Sequence, residues 1–360
     1  MLSLMDLIEA IAPGGEAKEI DFRPLDERQI DLSVTPDKPV AVLRLAGVQI
    51  STAGNLTNVN AQAKSGKSAT IGAMIAAIEG ASLKSCFGFD SPYDCLGFEA
   101  SEHDGKAVIL FDTEQSRYDA WRNLQRAAKR VRLKKFPQNF RAYGLCDLSP
   151  NERRQYLSAE MERAFQQCGG VHSVFVDGIA DLCNDPNDPE EAFGLVAELV
   201  RLAVKYSCPI ILVLHENPGS GSGGYVKTRG HLGSQLERKA ETNIRISIND
   251  EISTIQLERC RNGGLPKHLS PRFRWSPVDE MHMSIPPDDG SEALAKKRNE
   301  DAEIVETVFD GRKGPISASE LVAGIKTVLG CQQATAFRRR KEWLASGLIQ
   351  KTASGQYVRG

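Results

Sequence analysis

The chain has 360 residues, enough for one large domain and a small one. Hydrophobic residues make up 41% and charged residues 26%, the balance of a soluble globular protein. A formal net charge of −2 excludes a chain-wide pull on nucleic acid or membrane, so any nucleic-acid surface has to be local.

The first 38 residues are expected to form an N-terminal arm. Leu2, Leu4, Met5, Ile8 and Ile11 fall near helical spacing and predict a short amphipathic helix, docked on its own domain or on a neighbouring subunit. Asp6 and Glu9, with no basic run, do not fit a signal peptide. No apolar stretch is long enough to span a bilayer, so no membrane partner is expected and a cytoplasmic location is. The eight cysteines include no C-x-x-C pair and are expected to be reduced thiols with no zinc site.

Residues 39–262 are expected to be one α/β domain. Val40–Leu45 is an edge-strand candidate, and a short buried strand starting at Asn55 leads into a small-residue loop. Gly66, Lys67 and Ser68 match the last three positions of the phosphate-binding P-loop. In such a loop the backbone N–H groups of Ala63, Lys64, Ser65, Gly66, Lys67, Ser68 and Ala69 cradle phosphate oxygens. Lys67 places a cation on the β/γ-phosphates, and the Ser68 hydroxyl is suited to Mg²⁺. A helix over about 69–79 aims its positive end at the same point. Ala61 replaces the first glycine of the motif, which restricts the expected turn and leaves room for a weaker phosphate grip, or for a decayed site.

Residues 81–104 read as a loop-rich insert. Ala107–Phe111 is a continuous apolar run, a strand buried on both faces, and Val171–Asp177 and Pro209–Leu214 read as two further buried strands. Helical stretches over 118–132, 150–168 and 190–206 alternate with them, and Phe140–Gly144 is a further short strand. A mainly parallel sheet with helices on both faces follows, and ligands bind such sheets at the strands' carboxyl ends. Asp177 ends one run, as a Walker B aspartate in the Mg²⁺ shell or as an acidic turn residue before Gly178. Glu114 follows another, as the group that polarises the attacking water, with Asp112 as its competitor; either could instead cap the next helix. His215 ends the third, as a γ-phosphate sensor or a structural histidine. Beyond a Gly/Ser-rich loop over 217–230 come Lys227 and Arg229, where Arg229 reads as an arginine finger or a solvated charge. Strands over 242–248 and 253–258 close the domain.

Residues 263–300 read as a linker region. In 301–360, a helix over 302–309, a capping box at Ser317 and Glu320 opening a second helix, a third helix reaching Ala345, and a small hairpin make a winged helix-turn-helix pattern. The third helix carries Gln332, Gln333, Thr335, Arg338, Arg339 and Lys341, suited to a duplex groove and its phosphates, or to a solvated face on a protein-interaction module.

Together, Ala61–Ser68, Asp112–Glu114, Phe175–Asp177, Leu214–His215 and Thr228–Gly230 resemble the RepA-like ATPases of the RecA-type helicase superfamily, common in plasmids and mobile elements. The resemblance runs over about residues 40–258. It implies a RecA-like P-loop NTPase core using ATP and Mg²⁺, and gives the catalytic roles to Lys67, Glu114, His215 and Arg229 and the metal to Ser68 and Asp177. It also implies a homo-oligomer, often a hexameric ring, that moves on single-stranded DNA with Arg229 acting in trans. The acidic stretch Asp181–Glu191 departs from this picture, because its carboxylates would repel phosphate near a DNA-facing pore. An ATP-switched DNA-binding regulator or loader is the other reading.

Overall fold

A computed structural model describes residues 21–87, 94–216, 230–286, 291–312 and 314–360. The helix expected over 2–11, Lys227 and Arg229 all lie outside the described residues. Met1–Pro39 is a unit by itself, and its described part holds one helical turn, Arg23–Asp26.

The second unit, Val40–Gly360, starts with β1 (Ala41–Leu45) and β2 (Val48–Thr52). β1 is the middle strand of a small antiparallel sheet with β2 and β4 (Phe98–Ala100), not an edge of the main sheet. β3 (Leu56–Ala61) leads through the P-loop into α1, Lys67–Phe87. α1 runs eight residues beyond the expected end at residue 79, so the supposed insert begins as helix. Then come β5 (Ala107–Asp112), α2 (Arg117–Arg130), β6 (Phe140–Gly144), α3 (Pro150–Cys168) and β7 (Val171–Asp177). Next are α4 (Pro189–Lys205), β8 (Ile210–His215) and α5 (Gly230–Lys239). Local signals fix these helices. Ser149 and Glu152 form a capping box at α3 with Pro150 in the first turn, and Gly169 ends it in the left-handed conformation.

The main sheet has nine strands in the order β12-β11-β10-β9-β3-β8-β7-β5-β6. From β9 to β6 every neighbouring pair is parallel, and β5, β7 and β8 are buried almost throughout. β9 (Thr242–Asn249) turns into antiparallel β10 (Ile252–Cys260) through Asp250 and Glu251, both at positive φ, as a tight hairpin requires. One face of the sheet packs on α1 and the small sheet, around Met74, Ile75, Ile78, Val59 and Phe175. The other packs on α3, α4 and α5, around Met161, Leu195, Leu199 and Leu232.

The region expected as a linker, 263–300, is ordered secondary structure at both ends. β11 (Arg272–Ser276) and β12 (Met281–Ile285) extend the main sheet, and Phe273 is fully buried in its core. Pro271, Pro277 and the pair Gly263-Gly264 hide these short strands from a reading of composition. α6 runs from Ser291 to Phe309, so it begins inside the same region. α7 (Ala318–Leu329), α8 (Gln333–Ala345), β13 (Ile349–Lys351) and β14 (Tyr357–Arg359) follow. The expected Ser317/Glu320 capping box is present, and Ile316 bridges to Tyr357 beside the β13–β14 hairpin. This C-terminal module has its own core around Trp343, Leu321, Ile325 and Ile349. No helix of the described residues is long and apolar enough to cross a membrane.

Candidate active site

The parallel register brings the predicted strand-end residues together. Ala61 lies opposite His215 on β8, and Asp112 lies opposite Asp177 on β7. Ala61 is an ordinary buried strand residue whose carbonyl accepts from the N–H of Glu216 at 2.9 Å. The left-handed steps of the loop fall instead at Lys64 (φ 63°) and Gly66 (φ 91°). The first-glycine position therefore asks nothing of Ala61 that alanine cannot give, and the concern about a weakened turn is removed. Gly66 is required twice over. Its φ favours glycine, and a Cβ there would sit 2.5 Å from the Phe273 ring of β11.

Lys67 Nζ is the centre of the site. It is hydrogen-bonded to Glu114, lies 3.0 Å from Asp177 Oδ1, and lies 2.8 Å from His215 Nε2. His215 Nε2 is also 2.8 Å from Glu114 Oε2. With a proton on Nε2 the histidine donates to Glu114; without one it accepts from Lys67. The tautomer thus decides which partner that atom serves, a suitable property for a group read as a phosphate sensor.

Burial sets the electrostatics, and the ion pairs then sort the two carboxylates. Burial pushes Asp177 up to about 6, with Lys67 opposing and Asp112 adding to the shift. Burial also pushes Glu114 upward, but the His215 hydrogen bond and the Lys67 charge outweigh it and hold Glu114 at about 2. For Lys67, burial favours the neutral amine, but Asp177 and Glu114 outweigh it and raise the lysine above its usual value. Glu114 is therefore ionised at every physiological pH, while Asp177 takes up a proton in mild acid. The expected result is a fall in kcat/KM for ATP as pH drops through about 6, since that quantity reports groups of the free enzyme. A pH–rate series with Mg²⁺ no higher than ATP, so that the free enzyme carries no metal, measures it; an acid limb lying near 4 would rule Asp177 out as its source.

Asp112 does a different job from Glu114. Its Oδ1 accepts from the N–H of Glu114 (3.0 Å) and of Gln115 (2.9 Å), so it shapes the turn that presents Glu114. Thr113 Oγ1 lies 3.0 Å from the carbonyl oxygens of both Asp177 and Gly178 and 2.9 Å from Asp181 Oδ2, so its single proton is shared among acceptors that tie this turn to the end of β7. Gly178 (φ 95°) is needed there, because a Cβ would meet Thr113 Oγ1 at 2.2 Å and Glu114 Cγ at 2.7 Å.

Gln115 has a place that its sequence neighbours do not reveal. Its Nε2 lies 3.3 Å from both Ser68 Oγ and Asp177 Oδ2, and Asn123 of α2 donates to its Oε1. A hydroxyl and a carboxylate thus converge on one small polar point, the oxygen donor set that Mg²⁺ takes when phosphates supply the remaining ligands. The residues fit the ion: Ser68 and Asp177 would hold it, and it would neutralise charge on the transferring phosphoryl group. Beside this point a cavity of about 270 Å³ is lined by Gln62, Lys64, the 66–69 segment, Asn123, Arg126 and Arg130 of α2, and Met281 and His282 of β12. Of the expected cradle, Ser65 is turned inward. It is buried, and its hydroxyl donates to the Gln62 carbonyl at 2.8 Å.

Two predicted features are placed differently from expectation. The carboxylates of 181–191 are largely engaged locally: Asp188 caps α4, Glu191 accepts from the N–H groups of Asn184 and Asp185, and Asp181 accepts from Thr113. In the C-terminal module, Gln332, Gln333, Arg338 and Lys341 are exposed and Thr335 is half-buried. Arg339 is not a free cation, because it pairs with buried Asp301 at 3.0 Å.

A family model described as AAA domain matches residues 37–221, just over half of the chain. No curated protein matches it. The matched span runs from before β1 to past His215, and so includes the P-loop, Glu114, Asp177 and the strand ends that gather around Lys67. With its largely parallel sheet and the nucleotide-shaped chemistry at the sheet's carboxyl edge, the chain belongs to the AAA-domain family and is an ATPase with a RecA-like P-loop core.

Proposed function

We propose that this ATPase is RepA-like and couples hydrolysis to work on DNA, as a helicase or translocase in replication or mobilisation of a mobile element. The observation that carries the reading is the convergence of Glu114, Asp177 and His215 on Lys67, which has the base, metal and sensor groups of that family in register. Lys67 and the loop N–H groups bind the β/γ-phosphates. Glu114, ionised and held by His215, orients a water and takes its proton. Arg229 completes the site from a neighbouring copy in a homo-oligomeric, hexameric ring, where it stabilises charge on the γ-phosphate.

The C-terminal module supports a DNA partner. Three helices and a hairpin around one core support the winged helix-turn-helix reading, in which Gln332, Gln333 and Thr335 face the groove and Arg338 and Lys341 contact phosphates. Arg339 drops out of this set because Asp301 engages it.

ATPase rates with and without single-stranded DNA test the reading. DNA should raise turnover, and the increase should grow with protein concentration as subunits assemble. Mixing Arg229→Ala with Lys67→Ala protein should restore part of the activity, since some interfaces then pair an intact P-loop with an intact finger. Slow, DNA-independent turnover by a monomer would point instead to a switch or loader.

A further inference from the structure

Residues 117–135 hold eight Lys or Arg against a single acid, Asp119, in a chain whose overall charge is −2. Arg126 and Arg130 line the nucleotide cavity, and nothing in the site chemistry above calls for the other six. α2 buries Ala127, Ala128 and Arg130, and leaves Tyr118, Trp121, Arg122, Gln125 and Lys129 on one solvent stripe, which Arg132 continues. At a rise of 1.5 Å per residue the stripe is about 20 Å long. Two large aromatic side chains stand out of it, Tyr118 at 65% and Trp121 at 54% exposure. Their rings lie 5.8 Å apart, and the Arg122 guanidinium is over Tyr118. Among the described residues, Asp119 is the one carboxylate within ion-pair distance of this stripe's cations, through Arg122. Lys129 donates to the backbone carbonyl of Asp279, and Arg126, beside the stripe, donates to that of Glu280 and lies over the Trp275 ring.

Exposed rings beside cations that outnumber the local carboxylates are what unpaired bases and their phosphates recognise: the rings accept stacked bases of any sequence, and the cations displace counterions from the backbone. The stripe also has a physical line to the reaction centre. Arg126 Nη1 donates to Asn123 Oδ1 (3.3 Å), Asn123 donates to Gln115, and Gln115 bridges Ser68 and Asp177. Two side chains, Asn123 and Gln115, therefore separate an arginine beside the stripe from the metal-holding pair.

We propose that the solvent face of α2 binds single-stranded nucleic acid, and that Arg126, Asn123 and Gln115 report its presence to Ser68 and Asp177. This deepens the DNA-coupled reading above and rests on it for the coupling, whereas the binding surface stands by itself. Trp121 and Tyr118 stack on bases, and Arg122, Lys129 and Arg132 sit on phosphates. A phosphate that draws on Arg126 loosens its hold on Asn123, frees the Gln115 amide, and changes where the Ser68 hydroxyl and the Asp177 carboxylate can point. Asn123 and Gln115 are positioning residues in this scheme.

The test uses the full chain and fluorescein-labelled oligo-dT and oligo-rU of about 20 nucleotides, with a duplex of equal length for comparison. Anisotropy gives affinity against salt, and ATPase gives the ratio of rates with and without oligonucleotide. Trp121→Ala should weaken single-strand binding on the order of ten-fold. The double variant Arg122→Glu/Lys129→Glu should weaken it at least as much and flatten the log–log salt slope by about 1.4, at roughly 0.7 per phosphate contact. Arg338→Glu/Lys341→Glu, on the C-terminal module, should weaken binding of the duplex more than that of the single strands. Asn123→Asp is near-isosteric and still accepts from Arg126 but no longer donates to Gln115. It should keep oligonucleotide affinity while its stimulation ratio falls to about one.

Unchanged single-strand affinity in both α2 variants overturns the surface. So does loss of self-association in Arg122→Glu/Lys129→Glu with oligonucleotide affinity retained, which would make this face a contact between copies. Full stimulation in Asn123→Asp overturns the relay. If wild-type turnover ignores every oligonucleotide, the relay and the DNA-coupled reading both fall, and the affinities of the α2 variants still decide the surface.

Discussion

Glu114→Gln protein should bind ATP and hydrolyse it about 10²–10⁴-fold more slowly, the usual contribution of a positioned base. The geometry makes this a sharp test. Glu114 is held ionised at about 2 by His215 and Lys67 despite its burial, so the carboxylate form is always present to accept a hydrogen bond from the attacking water and orient it. The substitution keeps the shape and the contact with Lys67 and removes only the basic oxygen. Asp112→Asn is the matched comparison. Asparagine at 112 still offers an oxygen to the N–H groups of Glu114 and Gln115, so the turn survives and most turnover should remain. Single-turnover rates with separately measured ATP affinity distinguish the two. A dead Asp112→Asn enzyme beside an active Glu114→Gln enzyme would transfer the base to Asp112.

Lys67→Ala should lose nucleotide affinity and turnover together, the latter by at least about 10²–10³-fold, as when a single preorganised charge-stabilising donor is removed. The effect has two parts. The β/γ-phosphates lose their cation. In addition, Glu114 and Asp177 lose the charge that lets two largely buried carboxylates face one point, with side-chain exposures of 24% and 3%. Glu114 should then titrate above its present value of about 2, as burial is left less opposed. Nucleotide titration by fluorescence and turnover by phosphate release measure both losses. Unchanged turnover would show that this loop is not the one that holds the reacting phosphates.

Much of this site was legible in the sequence because its members sit at the ends of unmistakable apolar runs. A parallel sheet has to bring the residues after Phe111, Val176 and Leu214 to one edge, and the register pairs Asp112 with Asp177 and Ala61 with His215. What escaped depends on separations that no local pattern encodes. Gln115 meets Ser68 across 47 residues, and Phe273 packs on a glycine more than 200 positions earlier. The first-glycine concern failed because Ala61 is strand rather than turn. The acidic run over 181–191 is exposed at Asp185, Asp188 and Glu190, and Asp188 and Glu191 also cap helix and turn N–H groups, a local use that composition does not show. Strands β11 and β12 were lost among prolines because each is only five residues long, too short for alternation to show.

The contact between Phe273 and Gly66 bears on where this enzyme can be cut. The ring occupies the volume that a side chain at 66 would need, so it serves as a back wall that keeps the loop from collapsing inward. That wall arrives on β11, about fifty residues beyond the end of the family match, and β12 adds Met281 and His282 to the nucleotide cavity. A fragment ending at residue 262 would contain every recognisable catalytic residue and still lack part of its own binding site. The stretch that composition assigns to a tether is therefore part of the main sheet and of the cavity wall, through Ile285.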